Sequence, residues 1–143
     1  MNFVDESGTP IAEPDWTSTF NDDLDIAAAK DHWRIVLTEL MERALLTEAN
    51  AHSVQRLVIA YLLYDRAARE VAEHGAVVKP RRGNSKAIPR VSPFFTAMRE
   101  ASADATMLEA ELGLSPRRRG HVTKAERKTH RARAADTYLR RVK

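Results

Sequence analysis

Between residues 22 and 45 the apolar side chains of Trp33, Val36, Leu37, Leu40, Met41, Ala44 and Leu45 return every three or four positions, with Arg34, Glu39, Glu42 and Arg43 set between them. That interval gathers the apolar set onto one stripe of a helix, and Asp22 or Asp23 stands where the first free backbone N–H groups need a cap. LLTEAN, residues 45 to 50, reads as a tight turn: Thr47 suits a cap, and Glu48 puts negative charge beside the positive end of the next helix. The second helical pattern continues to His74, and Gly75 occupies the place where a left-handed residue commonly ends a helix. At about 1.5 Å per residue such a helix is on the order of 40 Å long. Ser92 and Pro93 start a third helix with a cap followed by a first-turn proline. Its buried stripe is predicted as Phe94, Met98, Ala101, Ala105, Leu108 and Leu112, and Gly113 closes it.

The second pattern differs from its neighbours in LVIAYLLY, residues 57 to 64, which is apolar all the way round. A single packing partner cannot cover every side of a helix. A membrane span needs roughly twenty such residues, so a bilayer is not the cover. A third helix of the same subunit and a neighbouring copy are both expected to share the task. Leu57, Val58, Tyr61, Leu62, Leu63 and Tyr64 are therefore predicted to lie at a contact between copies.

Between the second and third helices, AVVK is β-prone, RRGNS carries a turn signal in Gly83 and Asn84, and KAIPRV returns with a proline that suits an edge strand. The predicted fold class is all-α: a helical hairpin plus a third helix, with a small β-hairpin or extended insert at 76 to 91. Residues 1 to 21 mix Asp, Glu, Ser, Thr, Pro and Gly without a sustained period, and are expected to form a disordered acidic arm. The core is expected over 22 to 116, and 117 to 143 form a basic tail. In that tail Thr123 and Glu126 have capping-box spacing, which predicts a helix that orders on a partner.

Charge sharpens this outline. The formal net charge is only +3, yet residues 1 to 31 hold eight acids against Lys30, and residues 117 to 143 hold eleven Lys/Arg against Glu126 and Asp136. A basic block of that density points to a polyanionic partner. The insert offers Lys79, Arg81, Arg82, Lys86 and Arg90 on a thin element able to reach phosphates. The tail adds Arg117, Arg118, Arg119, Lys124, Arg127, Lys128, Arg131, Arg133, Arg140, Arg141 and Lys143. Contacts of this kind supply affinity and salt dependence but little base selection. Tyr138 alone is too little aromatic surface for stacking on single strands.

Catalytic patterns are missing from the sequence. It contains no GxxxxGK[ST] or GxGxxG, no HExxH pairing among its five histidines and no cysteine, so no cofactor or metal is expected. Asp22, Asp23 and Asp25 form a cluster that a metal-dependent nuclease could use, but helix capping explains it more simply. The acidic start, broken by Gly and Pro, lacks the positive, apolar character of a secretory signal.

LLTEAN (45 to 50), EHGAVVKPRRGNSKAIP (73 to 89) and ELGLSPRRR (111 to 119), in that order and spacing, resemble the successive landmarks of bacteriophage terminase small subunits of the P-twenty-seven family. The resemblance spans roughly residues 30 to 119. It implies a non-catalytic, mostly helical subunit that assembles into a ring in the host bacterial cytoplasm. Such a ring binds the packaging site on concatemeric double-stranded viral DNA and hands it to the large terminase subunit, which carries the ATPase and nuclease. The resemblance brings no DNA-contacting motif with it, so the basic positions above rest on charge. The rival reading is a small helix-turn-helix transcriptional regulator, with LLTEAN orienting the second helix into a DNA groove.

Overall fold

A computed structural model of the chain describes residues 3 to 5, 8 to 80, 86 and 88 to 116. Three helices dominate: α1 (Asp23–Glu42), α2 (Glu48–His74) and α3 (Pro93–Glu111). Between α2 and α3 lies a two-stranded antiparallel hairpin of β1 (Val77–Val78) and β2 (Arg90–Val91), so the all-α class with a small β insert holds.

Asp22 caps α1, its Oδ1 accepting from the Leu24 N–H at 3.0 Å. The helix stops at Glu42, short of the Leu45 that the apolar stripe predicts, because the chain must reverse into α2. Ala44 makes that reversal at a φ of 54°, and Met41 is left 41% exposed. Leu46 turns inward instead, and the Asn50 side-chain amide donates to the Leu45 carbonyl at 3.0 Å, closing the turn. Thr47 does occupy the cap position of α2, but through backbone geometry, without a side-chain capping bond.

α2 packs against both α1 and α3, and this explains LVIAYLLY. Leu57, Val58 and Leu62 are buried within the protomer, alongside Leu37 and Leu40 of α1 and Leu108 of α3. Expected at a contact between copies, these three are instead part of the chain's own core. Tyr61 is half-buried, and Leu63 and Tyr64 remain exposed. On α3 the stripe holds at Ala101, Ala105, Leu108 and Leu112, whereas Met98 is half-buried and Phe94, in the first turn, is 46% exposed.

The largest departure from the sequence expectation is at the N-terminus. Over its described residues the acidic arm is not without structure: Phe3, Ile11, Trp16 and Phe20 all join the core. The Ile11 N–H donates to the Phe3 carbonyl at 2.8 Å, and a single 3-10 turn at Trp16–Ser18 lays Trp16 edge-on against Trp33 of α1, ring centres 5.9 Å apart. Asp15 caps that turn, accepting from the Thr17 hydroxyl at 2.6 Å and the Thr17 N–H at 3.0 Å; these bonds hold its carboxyl below the usual value. The apolar anchors escape a periodicity test because they are irregularly spaced along an extended strap.

A buried charge joins arm, α1 and α2. The Asp25 carboxylate accepts from Arg66 Nε at 2.6 Å and from the Nη2 of the same guanidinium, with Arg69 Nη2 at 3.7 Å. The Arg66 guanidinium also lies over the Phe20 ring, 5.5 Å from its centre. Burying a carboxylate is tolerable only with such pairing.

Candidate nucleic-acid interface

The hairpin is positioned by the two helices it joins. Gly75 ends α2 at φ 85° and ψ 164°, a conformation almost closed to other residues. Val77 then pairs with Val91 and Val78 with Arg90. The Ser92 N–H donates to the Ala76 carbonyl at 2.9 Å, and Ser92 is buried at the start of α3, so the base of the ribbon is clamped. All four strand residues are exposed, which means both faces of the ribbon stand in solvent. An isolated two-stranded ribbon is marginal in water, so the helix ends supply its stability.

Lys79, Lys86 and Arg90 are exposed on this element. Arg81 and Arg82, and the tail cations Arg117, Arg118, Arg119, Lys124, Arg127, Lys128, Arg131, Arg133, Arg140 and Arg141, lie outside the described residues. With the fold in hand the charge separation becomes sharper than the terminal blocks suggest. Residues 1 to 75 and 92 to 116 hold eighteen acids against seven Lys/Arg, whereas 76 to 91 hold five cations and no acid. The helical body therefore carries a net negative charge, and the net positive stretches of the sequence are the insert and residues 117 to 143. Sequence reasoning missed the anionic body because it compared only the ends of the chain.

The acidic cluster near the start of α1 is occupied structurally: Asp22 caps and Asp25 is held by arginines. Among the described residues there is no group of three or more His, Cys, Asp or Glu placed to hold a metal ion. His32 lies against the Tyr61 ring at 5.2 Å, and His74 Nδ1 is 3.3 Å from Glu70. The Tyr61 hydroxyl donates to Glu109 Oε1 at 2.7 Å; burial first, and then this carboxylate, push its pKa well above the ordinary tyrosine value. No helix among the described residues is long and apolar enough to cross a membrane.

These features define a small helical protein with an anionic body and cationic appendages. The model of the family described as phage terminase, small subunit, matches residues 29 to 129, and the chain belongs to that family. The matched span begins inside α1, so the strap that carries Phe3, Ile11 and Trp16 precedes it. Neither the curated proteins nor the solved structures contain a match.

Proposed function

We propose that the chain is the non-catalytic DNA-recognition subunit of a phage genome-packaging machine, working in the host bacterial cytoplasm. Several copies close into a ring, their hairpins and tails engage the packaging site on double-stranded viral DNA, and the assembly recruits the large terminase subunit. Family membership supports the packaging role. The observation that carries the DNA contact is the concentration of net positive charge in the hairpin and tail beside a net anionic body. The body repels phosphates, so a duplex meets the protein through its appendages. A two-stranded ribbon is also narrow enough to enter a major groove.

Ring formation is supported by the apolar surface left at Tyr64 and Met107, which line one flank of the α2–α3 pair. Copies in a ring pool weak phosphate contacts into avidity. The helix-turn-helix alternative requires α2 to lie in a groove, which its packing between α1 and α3 opposes. Native mass measurement combined with titration of a duplex from the viral genome end tests the reading. A closed oligomer that binds the duplex, and binds it more weakly after Arg81→Ala and Arg82→Ala, is expected. A monomer or dimer indifferent to duplex overturns it.

A further inference from the structure

The opposite flank of the α2–α3 pair carries a groove of different character. Two adjoining hollows of about 350 and 610 Å³ share Leu63 and Ala97 in their lining. The floor is apolar, with Ile59 and Leu63 from α2 and Phe94 and Ala97 from α3; Leu63 is 48% and Phe94 46% exposed. Its rim is acidic, with Glu100 and Asp104 on α3 and Glu70 and Glu73 on α2. Glu73, Glu100 and Asp104 have no ion-pair partner among the described residues. Of the three arginines that line it, Arg66 and Arg69 are drawn onto Asp25, leaving Arg56 at one end. An apolar floor under unpaired carboxylates selects a cationic amphipathic helix.

The chain itself supplies such a segment. In its tail Ala135, Tyr138, Leu139 and Val142 recur at spacings of three, one and three, on one side of a helix, while Arg133, Arg140 and Arg141 fall on the other. Residues 117 to 134 provide the tether, and at about 3.3 Å per residue they span up to roughly 60 Å. Asp104 lies twelve residues before Pro116, which along α3 is on the order of 18 Å. The same protomer's tail therefore reaches the groove with slack.

We infer that the C-terminal segment around residues 135 to 142 docks in the acid-rimmed groove of its own subunit when DNA is absent, and that duplex DNA displaces it. The docked tail masks part of the cationic surface, so weak, non-specific duplexes compete poorly for it. The competition with DNA rests on the function proposed above, whereas the docking itself stands without it.

The natural chain has no cysteine, so a pair introduced as Ala97→Cys and Leu139→Cys reports the contact cleanly. Mild oxidation of the full-length protein is expected to form an intrachain disulfide when DNA is absent and little of it when saturating duplex is present throughout the oxidation. A yield no higher than that of a control pair, Thr17→Cys with Leu139→Cys, overturns the docking; disulfides formed only between chains give the groove to a second copy and overturn it too. A yield left unchanged when the oxidation is run on a duplex the protein demonstrably binds overturns the competition. Separately, Glu100→Gln with Asp104→Asn is expected to raise affinity for non-specific duplex about three- to tenfold, as for loss of two surface ion pairs. Added to Tyr138→Ser and Leu139→Ser, the same pair is expected to change affinity less than about twofold. Equal gains in both backgrounds reduce the two acids to general repulsion and overturn the proposal.

Discussion

Trp16→Ala probes the strap that the structure adds to the helical core. Trp16 is 1% exposed, packed edge-on to Trp33 and stacked on Phe20 with ring centres 6.4 Å apart. Truncating a fully buried tryptophan costs about 3–5 kcal/mol through lost transfer energy and the cavity left behind. A domain of this size is stable by about 5–15 kcal/mol in total, so roughly a fifth or more of the margin is at stake. With a urea dependence of about 2 kcal/mol per molar, the midpoint falls by about 2 M. The assay is built into the sequence, because Trp16 and Trp33 are its two tryptophans and the variant leaves Trp33 as the sole indole reporter. Trp33 emission is expected to shift to the red before any denaturant is added, since its cover is gone. A midpoint within about 0.5 M of the parent, with unchanged Trp33 emission, refutes the packing of the strap on α1.

Other expectations follow from individual contacts. Asp25→Ala strands Arg66 against α1 and frees Phe20 from its ordered neighbour; with Arg66 and Arg69 partly in solvent the loss is discounted to about 1–3 kcal/mol, read as a lower urea midpoint. Gly75→Ala meets no neighbour at its new Cβ, so its cost of about 1–3 kcal/mol comes from backbone conformation alone, and duplex affinity is expected to fall with it as the hairpin is re-aimed. The raised Tyr61 pKa means that the folded state holds this proton more tightly than the unfolded state. Its contribution is therefore complete below the ordinary tyrosine value of 10.0 and is lost as pH rises beyond it. Urea midpoints are expected to drop more steeply above about pH 10 in the parent than in Tyr61→Phe, and parallel profiles contradict this.

Much of the architecture is legible because it obeys a period. The Asp22 cap, the Gly75 terminus and the Ser92–Pro93 start are local signals that appear where their local physics puts them, and the predicted stripes hold over Trp33–Leu40 of α1 and from Ala101 to Leu112 at the end of α3, though not at Met41 or Phe94. What the sequence hides is tertiary. Phe3, Ile11, Trp16 and Phe20 are spread through an acidic, proline-containing stretch, so composition outweighs them until α1 is in place to receive them. Once that strap and both neighbouring helices are counted, Leu57, Val58 and Leu62 need no partner copy for cover. The basic insert was readable as a hairpin because turn residues separate two β-prone runs. The acidic groove beside α3 was not, because Glu100 and Asp104 share a rim with Glu70 and Glu73 of α2, roughly thirty positions earlier.

The central claim is that the cationic appendages, and not the anionic body, hold duplex DNA. Its most direct test is the salt dependence of duplex binding for the full chain and for a chain ending at Pro116, each checked for helix content. Every phosphate contact released changes the slope of log K against log salt by about 0.9. The account predicts a steep slope for the full chain and one shallower by about 3 or more after truncation, as several of the eleven tail cations are lost. Equal slopes for two folded proteins would contradict it.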